Sequence, residues 1–309
     1  MPGIELKAAF MKKTLKIDVL CIGHASYDLV FSVPHHPGED EKSVASALFG
    51  CGGGPAANAA VCVAKLGYRA GFCGYLGNDV YGESHLRELM NNGVDTRLVV
   101  RGNSPTPLST VFVKPDGKRT LINYKGETTA LTSGKVDFTE VSPKVVLFDG
   151  HELPVSLDFL SQTAAKSLPS ILDAGSLHEG TLGLMDKVDY LVCSEKFALQ
   201  YAGDEATALD RLAELAPAVV ITLGERGLIW KRGLESGEGT APPIKAVDTT
   251  GAGDAFHGAF AAGLASGLEW LDLLHYASAA GAICCQQLGA RPGLPDTEQV
   301  AKLLKEWLV

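Results

Sequence analysis

An α/β layered fold built on a mostly parallel sheet is what the sequence predicts, on two observations. Short apolar runs ending at a glycine or serine recur along the chain: KIDVLCIG at 16–23, KVVLFDG at 144–150, SILDAG at 170–175, VDYLVCS at 188–194 and AVVITLG at 218–224. Most of the intervals between them carry apolar residues at helical spacing. Strands covered by helices on both sides must be apolar on both faces, so they read as continuous runs and not as alternating ones. The 309 residues, 46% of them hydrophobic, suffice for one large domain or one domain with a small appendage.

Taken in order, AANAAVCVAKLG at 56–67 is a helix that starts after Pro55 and stops at Gly67. The segments at 28–34 and 43–50 look extended. In STVFVKPDGKRTLINY, β-favouring residues flank PDG, which predicts a hairpin around Pro115 to Gly117 within 105–124. Together these segments make a small sheet projecting from the main body, which must close over a cleft or pack against another subunit. ATALDRLAELA places Ala206, Leu209, Leu212 and Leu215 on one helical face. PPIKAV at 242–247 permits a short strand, and AFHGAFAAGLASG after Asp254 reads as a helix.

Composition removes several classes of function. The formal charge of -9 lacks the basic surplus of a non-specific nucleic-acid binder. No apolar run approaches the roughly 20 residues needed to span a bilayer. Tandem lysines precede apolar residues near the start, but Asp18 and Gly23 break the run before a signal-peptide pattern emerges, so a cytoplasmic setting is expected. The seven cysteines show no CxxC spacing and read as reduced core residues.

Chemistry concentrates in VDTTGAGDAFHGAF at 247–260. Gly251, Ala252 and Gly253 stand at a helix N-terminus, where free N–H groups and the helix dipole favour an anion and small side chains let a phosphate approach. Asp254 then has two readings. It takes a proton from a substrate hydroxyl attacking phosphorus, or it caps its own helix. Neither a GxxxxGK[ST] loop nor a GxGxxG after the first strand occurs, which argues against a Walker nucleotide site and a nicotinamide site. A second constellation, FGCGGGPAANAA at 49–60, offers close backbone access at Gly52, Gly53 and Gly54, with Asn58 early in the following helix as donor and acceptor for a polyol. Its plainer reading is a tight turn and a solvent-facing Asn58. Asp28, in GHASYDLV, falls just past the first strand, where ligands gather in open α/β sheets.

These motifs, with GYLGNDVYG at 74–82 and ITLGERG at 221–227, resemble the ribokinase-like, or PfkB, family of carbohydrate kinases over nearly the whole chain. The resemblance implies a three-layer α/β/α domain spanning 1–309 with a small β-sheet lid, and transfer of the γ-phosphoryl group of ATP, with Mg²⁺, to a primary hydroxyl of a small monosaccharide. It implies Asp254 as base, the backbone of Gly251, Ala252 and Gly253 as anion hole, and Asp28, Gly53, Gly54 and Asn58 at the sugar. Ser194, Thr222, Gly224 and Gly227 would contact nucleotide, with Ala277 and Ala280 giving adenine room. The chain departs from many relatives at SEKF, where Ser194 replaces an asparagine and Phe197 a glutamate, so no protein ligand for Mg²⁺ is assigned. Asp248, Thr250, Cys284, Gly289 and Gly293 match a loop pair that holds K⁺ in some members, against the alternative that Asp248 only braces its turn. A homodimer through the lid is implied.

Within the family the sequence looks closest to the branch of sulfofructose kinase, with ketohexokinase and ribokinase further off. Arg119, Asn123 and Lys125 are then candidates to meet an anionic substituent, although a neutral sugar leads. A nucleoside kinase and a non-catalytic sugar or nucleotide binding protein are the competing readings.

Overall fold

A computed structural model describes residues 15–163 and 168–308. Most of the amino-terminal stretch that carries the tandem lysines lies outside the described residues. The main sheet has nine strands in the order Glu235–Gly239, Leu228–Arg232, Ala218–Thr222, Tyr190–Ser194, Ser170–Ala174, Val145–Phe148, Val19–Ile22, Ala70–Gly77 and Asp95–Gly102. Neighbours run parallel throughout, except for the antiparallel hairpin of the first two strands on Ala218–Thr222. All five apolar runs read from the sequence are parallel strands of this sheet.

Two apolar cores explain why those runs are continuous. Val19 and Cys21 join the core under the helices Pro55–Lys65, Ala252–Ser266, Trp270–Cys284 and Thr297–Trp307. Leu20 and Ile22 join the opposite core, under Leu153–Thr163, Glu179–Leu184, Glu195–Ala202 and Glu205–Leu212. Successive residues of a strand point to opposite faces, so both must be apolar. Helix, sheet and helix make three layers. Six of the seven cysteines are buried, all are free thiols, and among the described residues no helix is long and apolar enough to cross a membrane.

Four further strands form a separate sheet in the order Ala47–Gly53, Ser26–Ser32, Leu108–Val113 and Arg119–Tyr124. The last two are the hairpin arms around Pro115 to Gly117, with Val113 opposite Arg119. Ser26 begins this sheet only four residues after Ile22 ends its parallel strand, so the small sheet stands over the C-terminal edge of the large one. Its alternation separates two surfaces. Ser26, Asp28 and Val30 share one face with Cys51, Ser109, Val111, Arg119 and Asn123, while Tyr27, Leu29, Phe31, Leu48, Ile122 and Tyr124 share the other. Asp28 therefore sits within a strand of the small sheet and not in a loop after the first strand.

Two local expectations fail for identifiable reasons. No strand forms at 242–247: Pro242 and Pro243 supply no N–H, and Val247 instead donates to the Cys285 carbonyl at 2.7 Å. The helix expected across 206–216 ends at Leu212, and its buried face is Ala208 and Leu212, leaving Ala206 exposed. A four-residue step, not a three-residue one, carries the core contact.

Candidate active site

The turn before Ala252–Ser266 is built by glycine. Gly251 adopts φ 79°, and a Cβ there would lie 2.5 Å from the Cβ of Ala290, so no other residue fits. A Cβ at Gly253 would meet no atom within 4 Å, which leaves open space directly before the helix N-terminus. Among the described residues no side chain caps this terminus. The capping alternative for Asp254 is thus not realised: its Oδ2 accepts Asn58 Nδ2–H at 2.6 Å, across 196 residues of sequence. Asn58 is buried and turned toward the site, not toward solvent.

Burial raises the Asp254 carboxyl to about 7, and the nearby Asp173 carboxylate acts in the same sense. The Asn58 amide, His257 and Arg119 pull in the other direction. Asp173, buried at the end of its strand, is itself raised to about 8 by desolvation and by Asp149. His257 Nδ1 contacts the Gly253 carbonyl at 2.6 Å and lies 3.3 Å from Asp173 Oδ2. Neither Asp173 nor His257 stood out in the sequence.

On the acceptor side, Asp28 is buried, and Ser26 Oγ donates to its Oδ1 at 2.9 Å. Gly53 and Gly54 have distinct reasons to be glycine. A Cβ at Gly53 would overlap the Asp28 carboxylate at 2.2 Å, whereas Gly54 takes φ 95° against the His24 carbonyl. The structure thus brings Asp28, Gly53, Gly54, Asn58 and Asp254 into one constellation. It adds Arg291, whose Nε donates to Asn58 Oδ1 at 3.1 Å, together with His85 and Glu88 from the helix Val80–Asn91. His85 and Glu88 are three apart, a spacing that places both on one helical face. The lone arginine in the small-residue run GARPG was the other available signal.

Ser194, Thr222, Gly224 and Gly227 lie at or just past the C-terminal ends of adjacent strands. Ser194 is already engaged, its Oγ accepting from Phe197 N at 3.1 Å as a helix cap and donating to the Gly175 carbonyl at 3.0 Å. Phe197 is completely buried in the second core, which accounts for an aromatic side chain at this position. Ala277 and Ala280 have no exposed surface and belong to the other core. They lie where the helix Trp270–Cys284 packs into that core.

Asp248 ties two loops together. Its Oδ1 accepts from Thr250 N at 2.9 Å and Thr250 Oγ1 at 2.6 Å, and its Oδ2 from Gly289 N at 2.8 Å. The Cys284 thiol points at the carbonyls of Thr250 and Ala290, and Gly293 is held so close that a Cβ would lie 2.4 Å from the Cys284 carbonyl oxygen. Over this loop pair Arg119 donates to the hydroxyls of Thr249 and Thr250 at 3.1 and 3.2 Å. Asn123 accepts from Ser109 Oγ at 2.9 Å. Lys125 instead lines a small cavity with His24, His151 and Glu152, away from Arg119.

A model of the "pfkB family carbohydrate kinase" matches residues 16–297. Ribokinase of Arabidopsis thaliana is 29% identical, over 93% of this chain and 81% of its own length. The probable fructokinase-5 of the same plant is 27% identical, over 82% and 88%. Among solved structures, a putative ribokinase from Agrobacterium tumefaciens superposes with a TM-score of 0.86 at 29% identity, covering 95% of this chain and 99% of that one. Arabidopsis thaliana ribokinase complexed with ribose and ATP gives 0.80 at 27% identity, covering 94% and 99%. With a three-layer fold, a glycine-built N-terminal cradle and a carboxylate beside it, the chain belongs to the pfkB family of carbohydrate kinases.

Proposed function

We propose that the protein transfers the γ-phosphoryl group of ATP to a primary hydroxyl of a small, unphosphorylated monosaccharide. The observation that carries this reading is the Asp254 carboxylate, unused as a cap, held by Asn58 beside an open N-terminal cradle. In the reaction Asp254 Oδ1 takes the hydroxyl proton, the oxygen bonds to the γ-phosphorus, and the bond from that phosphorus to the bridging oxygen breaks to release ADP. Backbone N–H groups of Gly251 to Gly253 face the charge on the transferring group. Asp28 and the backbone at Gly53 and Gly54 hold neighbouring hydroxyls. Resemblance to ribose-binding and fructose-named relatives supports a neutral sugar, and a cytoplasmic setting supplies the ATP.

Mg²⁺ would accompany the nucleotide and spread the charge of its phosphate oxygens. Ser194, at the end of the strand Tyr190–Ser194, and Phe197 just past it offer no carboxylate to hold it, and we assign it no protein ligand. Potassium fits better. Asp248 is fully buried and forms no ion pair among the described residues, its three donors leave carboxylate lone-pair capacity unused, and the Thr250 carbonyl that faces the Cys284 thiol belongs to the loop Asp248 braces. The outer face of the small sheet supports a homodimer through the lid. Leu48, Ile122 and Tyr124 are 59%, 61% and 59% exposed on it, and a row of apolar side chains on a two-edged sheet calls for a partner.

An acceptor panel of ribose, fructose, tagatose, sulfofructose and adenosine tests the reading, which exclusive activity on the nucleoside would overturn. With the best sugar, Asp254→Asn should lower kcat roughly 10²-fold or more and leave the ATP KM within a few-fold. The wild-type kcat/KM should rise with pH through about 7, because the base must lose a proton that burial makes it retain. Gly253→Ala places a methyl in open space, so the unfolding midpoint should stay near wild type while phosphoryl transfer falls at least about tenfold; unchanged transfer would show that no phosphate occupies that space. Replacing Na⁺ by K⁺ at equal ionic strength should raise turnover, and Asp248→Ala should abolish the difference. In sedimentation, Ile122→Asp should shift a dimer to a monomer; a wild-type protein that is monomeric at all concentrations counts against the lid interface.

A further inference from the structure

Arg291 is a buried cation in the middle of the acceptor side, only 4% exposed. Its guanidinium has donors and no acceptor, so whatever atom faces it must accept. Nε meets Asn58 Oδ1 at 3.1 Å and Nη2 meets His85 Nε2 at 3.2 Å, while Glu88 Oε1 stands 3.6 Å from Nε as countercharge. An asparagine amide can turn over and exchange its oxygen and nitrogen. Beside Arg291 it cannot, because the reversed amide would direct its NH₂ at a cation and its oxygen at the Asp254 carboxylate. With Oδ1 committed to Arg291, Nδ2 must face Asp254 Oδ2, where it donates at 2.6 Å.

We infer that Arg291 is a positioning residue for phosphoryl transfer, fixing the Asn58 amide so that one oxygen of Asp254 is held by a donor and the other is left for the substrate hydroxyl. This rests on Asp254 being the base. The surroundings are built around Arg291. His85 has its acceptor nitrogen toward Arg291, and burial together with the guanidinium keeps that imidazole uncharged by lowering its pKa. Glu88 Oε2 accepts from Gly52 N at 2.7 Å, which pins the glycine strand over the guanidinium. Any side chain on Gly52 would strike the pair, since a Cβ there would lie 2.4 Å from His85 Cδ2 and 2.9 Å from Arg291 Nη2. Gly52 is thus required by what lies beneath it. Among the described residues Arg291 Nη1 has no hydrogen-bond partner, so the group is not placed there by saturation of its own hydrogen bonds.

The test is a double-mutant cycle between Arg291 and Asn58, read in kcat and in the acid limb of the pH profile. Arg291→Lys keeps the charge and loses the fork that selects Oδ1. It should lower kcat about tenfold and move the acid limb upward by about half a unit or more, because a carboxylate that loses a donor becomes easier to protonate. The other groups facing Asp254, namely Asp173 on its strand, His257 on the same helix and Arg119 from the small sheet, are unaltered by the change. In an Asn58→Ala background, Arg291→Lys should have no further effect on either quantity. Additive losses, or Arg291→Lys enzyme indistinguishable from wild type, would overturn the inference. Should Arg291→Lys fail to fold, Arg291→Gln with Glu88→Gln removes the buried cation and its partly exposed countercharge together and carries the same cycle. An Asp254→Asn enzyme of full activity would instead remove the base, and with it the reading on which the inference rests.

Discussion

The site depends on how closely two helices approach. Pro55–Lys65 carries Asn58, and Ala252–Ser266 carries the cradle and Asp254. Where they cross, a Cβ on Gly258 would lie 2.8 Å from the Ala59 carbonyl oxygen and from Cys62 Cβ, and the Cys62 thiol reaches the Ala255 carbonyl at 3.5 Å. Such contact of backbones is open only to faces made of alanine, cysteine and glycine. The runs AANAAVC and DAFHGAFAAG are therefore both core and mechanism. They bring a side chain from the first quarter of the chain within 2.6 Å of one from the last. A bulkier residue at any crossing position would separate Asn58 from Asp254 before it unfolded anything.

Charge at this edge is handled locally, against an overall surplus of acid. Asp149 accepts backbone N–H groups of His24, Ala56 and His151 at 2.7, 3.1 and 2.9 Å, so it serves as an internal brace joining a strand end to a helix start. Gly23 must be glycine because a Cβ would fall on that carboxylate. Asp248 braces the opposite loops in the same manner. The cations come from elements remote in sequence: Arg291 beneath the glycine strand, Arg119 from the small sheet, Lys125 beyond it. A crevice for a nucleotide and a polyol needs positive charge at two or three points only, and a net charge of -9 does not bear on that.

How much of this was legible follows from what kind of constraint each feature imposes. Parallel strands were readable because burial on both faces forces an unbroken apolar run, and the cradle was readable because positive φ and close approach force glycine. Asp254 was readable only as a pair of alternatives. Choosing between them needed Asn58, and no local rule connects positions separated by 196 residues. Arg291, His85 and Glu88 were missed for the same reason, since each is an ordinary surface residue type until the fold brings it to the acceptor side. Ser194 is a different case. Its position at a strand end is as expected, yet its hydroxyl is spent on capping and on Gly175, and Phe197 has been given to the core. Ala277 and Ala280 are buried in the core, where a small residue on a late helix serves a neighbouring helix as readily as a ring.

On the proposed reaction, the balance around Asp254 has a chemical logic. A carboxylate at its ordinary value is a weak base for a sugar hydroxyl, and one raised far above 7 would be protonated and inert. Burial and Asp173 push upward, while the Asn58 donor, His257 and Arg119 hold the result to about 7. Two of these opposing groups report on events outside the pocket. Arg119 arrives with the small sheet, so its withdrawal would weaken the opposition and move the carboxyl further upward. Asn58 holds its orientation only while Arg291 does. The base is therefore competent when the acceptor side is assembled and the small sheet lies over the cradle, the arrangement in which water is displaced from the transferring group. Hydrolysis of ATP without an acceptor is then disfavoured by the same contacts that make transfer to a sugar possible.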